Sequence, residues 1–436
     1  MKRAVKGKRV FVVDGARTPF LRAAVRPGPF GAADLAVAAG RPVLARWPLS
    51  PTAIDEVIVG CVIPAPNEAN IARIIGLRLG CGVGTPAFTV QRNCASGLQA
   101  LASASERISL GTSQIVLAGG TEAMSRSPVQ WNAGMVDWLA GVMHARGSLR
   151  RLRAIAALRP AHLKPVFTLL LGLTDPLVEL SMGQTAEVLA ERFAITRAQQ
   201  DAYALQSHQR LAAAFDSGQM AEEIEPLYDA GGNCYSEDTG LRRESSIERL
   251  SKLKPVFDRK YGSVTAGNSS QVTDGAAMLV LASEAAVESQ HLPVLGELVD
   301  HAWAGVDPRQ MGLGPVHAVA QLLQRNKLAM DELVQMELNE AFAAQVLACQ
   351  AAWASNAYAR DELGLKRAPG SVDPARLNPD GGAIACGHPV GASGARLVLH
   401  LLRALRRRGG GFGIAALCIG GGQGGAMLVR VAESGE

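Results

Sequence analysis

Asn93-Cys94-Ala95-Ser96-Gly97 and its later counterpart Ala392-Ser393-Gly394 are the stretches on which the fold turns. Each opens a run with helical spacing, residues 95–110 and 392–408, and each run feeds an apolar strand that ends in glycines. The first strand, 115–118, precedes Gly119-Gly120; the second, 413–418, precedes Gly420-Gly421-Gly422. One helix-and-strand unit is therefore present twice. Outward from the first copy, strand-like runs at 10–13 and 57–59 alternate with a helical run at 69–79, and the strand, helix, strand order predicts parallel pairing. Around the second copy the reading is strand 294–299, helix 316–326, strand 334–338, helix 341–352 and strand 425–431. The fold class is α/β, with two related halves. Stacking them buries helices between sheets and brings the two Ala-Ser-Gly starts towards one centre.

A chain of 436 residues, 48% hydrophobic and 19% charged, has enough apolar material for two such halves. The net charge of +5 is concentrated in clusters such as Arg150, Arg151 and Arg153, which suit phosphates or an anionic surface, and Arg406 to Arg408, which read as a helix C-terminus before Gly409-Gly410. No nucleic-acid-binding motif accompanies them. Seven cysteines without a Cys-x-x-Cys pair argue against a disulfide framework and against a zinc site, so no metal is expected. The basic residues Lys2, Arg3, Lys6, Lys8 and Arg9 run straight into the first strand without a long apolar stretch. A secreted protein is not expected; a cytoplasmic or mitochondrial-matrix one is.

Two segments interrupt the pattern. Pro42 is expected to kink or split the helical run 35–47. Residues 125–180 form an excursion: Leu149, Leu152, Ile155 and Leu158 share a helical face among arginines, and 166–173 is almost wholly apolar. That run is too short to span a bilayer. A loop segment packed on its own protein, a tunnel cover, a partner-docking surface and a membrane-surface contact through 142–173 are the readings open to it.

Three separated residues carry the chemistry. Cys94 lies at an expected helix start, where free amides and the helix dipole stabilise a thiolate; the alternative is a small buried apolar residue. His388, between Gly387 and Pro389, sits on a tight turn where an imidazole of near-neutral pKa takes a thiol proton and later donates to an oxyanion; the alternative is a capping or core histidine. Cys418 enters the Gly420 run, whose amides can converge on an oxyanion, and is otherwise a structural thiol. Asn339, in Asn339-Glu340-Ala341-Phe342, is a water holder for a second oxyanion site or an ordinary N-cap.

Taken together, the motifs resemble the thiolase family over nearly the whole chain. The matching segments are Gly15-Ala16-Arg17-Thr18-Pro19, Asn93 to Gly97, Gly119 to Ser125, Ser181-Met182-Gly183, Thr265-Ala266-Gly267-Asn268-Ser269-Ser270, Asn339 to Phe342, Gly387-His388-Pro389 and Cys418 to Gly422. The resemblance implies a layered α-β-α-β-α sandwich with halves at 8–284 and 292–434 and a loop domain inserted at about 121–250. It implies that Cys94 carries an acyl group, His388 activates it, and Cys418 moves a proton on the acetyl carbon. Of two implied oxyanion sites, one joins His388 to a water on Asn339 and the other joins the amides of Cys94 and Gly420. Met182 would line the acyl pocket and Ser269 and Ser270 the pantetheine path. Coenzyme A is then a co-substrate, with no permanently bound cofactor.

Within the family, Pro66 to Arg73, the run from Arg406 and the long insertion resemble the β subunit of fatty-acid oxidation complexes, which often has histidine where Asn339 stands. Ser181 replaces a histidine of many short-chain enzymes and points to a longer or different acyl pocket; Cys386 also departs from the usual pattern. The implied activity is cleavage of 3-ketoacyl-CoA by CoA, with an acetyl-CoA C-acetyltransferase as the near alternative. A lipid-carrier or scaffold member of the fold is more remote, and a decarboxylating ketoacyl synthase would usually carry two histidines in place of His388 and Cys418. A homodimer or homotetramer, and a hydratase/dehydrogenase α subunit as partner, are the assemblies implied.

Overall fold

The computed structural model describes residues 8–24, 26–46 and 50–433. Lys2, Arg3 and Lys6, and positions 47 and 434 that end two of the ranges given above, lie outside them. The strands that position the site are β1 (Val10–Arg17), β2 (Glu56–Gly60), β3 (Ala87–Val90), β4 (Ile115–Ala123), β5 (Thr273–Ser283), β6 (Gly296–Gly305), β7 (Leu333–Leu338), β8 (Gly411–Ile419) and β9 (Gln423–Val431). The helices are α1 (Ala32–Ala45), α2 (Ile71–Arg78), α3 (Ser96–Ser109), α4 (Gly314–Asn326), α5 (Ala343–Ala354) and α6 (Ser393–Arg407).

The strands run in the order β7-β8-β9-β6-β1-β5-β4-β2-β3, with Leu21–Arg22 added on β5, as one ten-stranded sheet. Separate stacked sheets were expected. They are joined because Val10–Val12 of β1 pairs with β5 on one side and with β6 on the other. Parallel pairing is confined to β2 with β3 and β4, and to β7 with β8. Elsewhere the sheet is antiparallel: β8 and β9 form a hairpin closed by Gly421 and Gly422, whose φ of 88° and 75° favour glycine.

The two repeat helices meet back to back inside the fold. A Cβ on Gly97 would stand 2.8 Å from the Gly391 carbonyl, and one on Gly394 would stand 2.7 Å from Leu98 Cβ, so glycine at both starts permits the contact. Leu98, Leu101 and Ile108 of α3 and Leu397, Leu401 and Leu405 of α6 are buried in one core with residues of both sheet halves. Each such side chain contributes about 1.5–3 kcal/mol by burial. Helices α1 and α2 cover the far face of one half, and α4 and α5 that of the other. The layers are thus helix, sheet, helix, sheet, helix.

Pro42 does not split α1. It lies in the last turn, where its missing N–H costs one bond, and Arg46 N–H still reaches the Pro42 carbonyl at 3.0 Å. The chain leaves the sheet after Ala123 and returns at Thr273, a longer excursion than the expected 121–250. Helices Ala133–His144, Ser148–Ala156, Met182–Arg192 and Arg197–Asp216 lie in it. It is fastened to the body by buried Arg17, which pairs with Glu223 at 2.6 Å and Asp238 at 2.7 Å. Buried Glu340 adds a second tie by accepting from Tyr203 at 2.9 Å and Ser207 at 2.6 Å.

Candidate active site

Cys94 sits in the turn between β3 and α3. Asn93 takes φ 43°, and its carbonyl receives the Ser96 hydroxyl at 2.8 Å, which fixes the turn without a side-chain cap on the helix. The Asn93 amide also donates to the Gly420 carbonyl at 2.8 Å, tying this turn to the β8–β9 hairpin. The Gly420 and Cys94 amides both face the Cys94 sulfur, where they also suit an oxyanion. A side chain at position 420 would crowd Met182, whose sulfur lies 3.2 Å from that Cβ position.

His388 projects from a turn that Gly387 makes with φ 106°. Its Nδ1 lies 2.6 Å from Ser393 Oγ, and that hydroxyl is 3.0 Å from the Pro389 carbonyl. When Ser393 donates to the carbonyl it accepts from Nδ1–H, leaving Nε2 as the free base. Asn339 Nδ2 is 3.4 Å from Nε2, while the buried Asn339 Oδ1 has no partner. Asn339 is not an N-cap, since Phe342 precedes the first residue of α5. Its orphaned carbonyl oxygen suits a bound water.

Cys94, His388, Cys418, Met182, Ser269 and Ser270 line one cavity of about 310 Å³. Asn339 and Gly420 do not line it and reach the site through His388 and Cys94. Phe257 and Phe342 form part of its wall as an edge-to-face pair with centroids 5.9 Å apart. Ser181 caps the helix Met182–Arg192 and so sets Met182 at the cavity. Ser269 donates its hydroxyl to the Thr265 carbonyl at 2.7 Å, and the Ser270 amide bonds the Ala341 carbonyl at 2.9 Å. A second cavity of about 570 Å³ shares Met124, Leu170 and Val272 with the first.

The protonation states differ from those expected of the sequence. Burial pushes the Cys94 thiol up despite the two amides, so the resting group is a thiol. Burial, with Arg396 nearby, pushes His388 down to about 3 rather than near neutrality, so the imidazole rests neutral. Burial also raises Cys418 well above the usual thiol range, which keeps it a proton donor. Among the residues missed in the sequence, Ser393 and the aromatic pair stand out. Ser393 had a signal, in the Ala392-Ser393-Gly394 start five residues beyond His388, but it was legible only as a helix opener.

Residues 10–285 match the model of the thiolase N-terminal domain, and residues 292–431 that of the thiolase C-terminal domain. The chain belongs to the thiolase family. It is 39% identical to a 3-ketoacyl-CoA thiolase of Yersinia enterocolitica over 98% of both chains. It is 40% identical to one of Salmonella typhimurium over 98% of this chain and 97% of that one. Human mitochondrial 3-ketoacyl-CoA thiolase superposes with TM-score 0.84 at 36% identity, covering 98% of this chain and 99% of that one; a further structure of it is a complex with CoA. The acetyl-CoA acetyltransferase of Bacillus anthracis superposes with TM-score 0.83 at 35% identity, covering 98% and 100%. This chain is a thiolase, an acyltransferase. No helix among the described residues is long and apolar enough to cross a membrane.

Proposed function

We propose that this thiolase is a 3-ketoacyl-CoA thiolase of fatty-acid β-oxidation. The reading is carried by the convergence of Cys94, His388 and Cys418 on one cavity. Cys94 sulfur attacks the keto carbon as its proton passes to His388 Nε2. The bond between the keto carbon and the acetyl methylene breaks, and its electron pair forms the acetyl-CoA enolate. Cys418 donates its proton to that carbon, acetyl-CoA leaves, and His388 returns a proton to Cys418. CoA then enters, His388 takes its thiol proton, and the CoA thiolate attacks the Cys94 thioester. Cys94 leaves as thiolate and recovers the proton from His388. The Cys94 and Gly420 amides, and His388 with a water on Asn339, receive the two oxyanions.

Met182, Ser269 and Ser270 flank the pantetheine and acyl path in this reading. The adjoining cavity beyond Met124, Leu170 and Val272 favours an acyl tail over acetoacetyl alone. The near alternative is an acetyl-CoA C-acetyltransferase working in the condensing direction. Comparing thiolysis of acetoacetyl-CoA and 3-ketohexadecanoyl-CoA separates them: a rate far higher on acetoacetyl-CoA would favour the alternative. Cys94→Ala is expected to abolish the acyl-enzyme, read by intact-protein mass spectrometry.

Halves at 8–284 and 292–434, with the insertion as a loop domain, belong to the same proposal. So do a homodimer or homotetramer and a cytoplasmic or mitochondrial-matrix location. Self-association is supported by β3, which ends the sheet order and has one free edge. A hydratase/dehydrogenase α subunit as partner is tested by co-purification from the source cell.

A further inference from the structure

Glu122 takes no part in the proton transfers proposed for the reaction, yet it stands between the two turns that carry them. It lies one residue from the end of β4 and is 1% exposed. Its Oε2 accepts the Val62 amide at 2.9 Å, and its Oε1 accepts the Ile63 amide at 3.0 Å and the Cys61 thiol at 3.6 Å. The loop that follows β2 is thereby wrapped onto one carboxyl group. That loop also reaches the Cys94 side of the site, because the Cys61 amide donates at 3.2 Å to the carbonyl of Val90, the last residue of β3.

The His388 turn meets the same carboxyl group. The Gly391 amide faces it, and a Cβ on Gly391 would stand 2.8 Å from Oε2 and 3.2 Å from Cys61 Cα. Gly391 therefore rests directly on Glu122, next to Val390, which lines the catalytic cavity. Glu122 itself does not line that cavity. Its three donors at hydrogen-bond distance, two amides and a thiol, are all neutral. A wholly buried carboxyl group without a cation opposes folding, so its use lies in what it holds together.

We propose that Glu122 is a positioning residue of the reaction: it holds the loop tied to the Cys94 turn against Gly391, and so fixes the approach of His388 Nε2 to the Cys94 sulfur. A proton passes between those two atoms when the thiol attacks and again when it is released. A displacement of about 1 Å at either turn slows such a step by about 100-fold. The inference rests on the base role proposed for His388.

Steady-state thiolysis of acetoacetyl-CoA and alkylation of Cys94 by iodoacetamide test it, with the parent, Glu122→Gln and Glu122→Asp compared. Glu122→Gln keeps the size of the side chain but turns one acceptor into a donor; Glu122→Asp keeps both acceptors and withdraws them by one methylene. Each variant is expected to lower kcat and the alkylation rate together, by roughly 10–100-fold, with KM for CoA changed less than about twofold. Either variant carries the test if the other does not fold. A kcat within about threefold of the parent in a folded variant overturns the proposal. A fall in kcat with an equal rise in KM, or with alkylation unchanged, assigns Glu122 to the fold alone and overturns it equally. His388→Ala, measured alongside, separates the two failures: if it leaves kcat unchanged, the base role is lost; if it lowers kcat and the Glu122 variants do not, only the positioning role is lost.

Discussion

At the residue scale, the resting pair is a neutral thiol beside a neutral imidazole, not a thiolate–imidazolium pair. In the proposed mechanism, proton transfer then accompanies attack on the keto carbon, with the amides of Cys94 and Gly420 and the His388 site receiving the charge that develops. With His388 lowered to about 3 and Cys94 raised, no group of the pair titrates near neutrality. The rate of Cys94 acylation is expected to be flat between about pH 6 and 8. An apparent pKa near the ordinary histidine value in that profile would contradict it. Ser393 is a positioning residue: Ser393→Ala removes the oxygen that Nδ1 meets at 2.6 Å. It is expected to lower kcat by roughly 10–100-fold with little change in KM, by analogy with the loss of a partner that orients a metal-ligating histidine. Asn339→Ala removes the unpartnered buried Oδ1 that suits a water at the His388 oxyanion site, and is expected to lower kcat by roughly 100-fold in steady-state assays.

At the scale of elements, the site exists because two helix starts touch. Gly97 and Gly394 let α3 and α6 approach through their first turns, and this brings the Cys94 turn to the His388 turn. Gly120 belongs to the same seam, since a Cβ there would collide with the Gly391 carbonyl. Gly120→Ala is expected to lower stability by about 3 kcal/mol, in the range of overpacked cores, and chemical denaturation would measure it. Gly183→Ala probes the cavity wall instead. Its Cβ would overlap the Phe257 ring, so the Phe257–Phe342 pair must shift, and KM for CoA should rise more than stability falls.

At the scale of the whole molecule, the excursion and the two halves are locked by buried charge. His400 pairs with Glu223 at 3.0 Å and Asp380 at 3.2 Å, and Arg17 holds the other side of Glu223. Burial alone would lower His400, but Glu223 and Glu337 raise it to about 10. The folded state therefore keeps a proton that the unfolded chain loses above about pH 6.5. This contribution is complete below that pH and is lost as pH rises through about 10. The melting temperature should fall across that window, and His400→Gln should flatten the slope while costing about 3–5 kcal/mol at neutral pH. Calorimetry of both proteins across the window decides it.

The α/β alternation, the repeated helix-and-strand unit and the candidacy of Cys94, His388 and Cys418 were legible in the sequence, because period, glycine placement and short motifs are local properties. Strand pairing was legible only where a single helix joins neighbouring strands, as α2 joins β2 and β3. Tertiary structure decided that β1 fuses both halves into one sheet, that Pro42 is absorbed at a helix end, and that Phe257, Phe342 and Ser393 belong to the site. It also set the protonation of Cys94 and His388, which burial moved away from the values read from residue type. Desolvation depends on atoms brought from distant parts of the chain, so no spacing within the sequence encodes it.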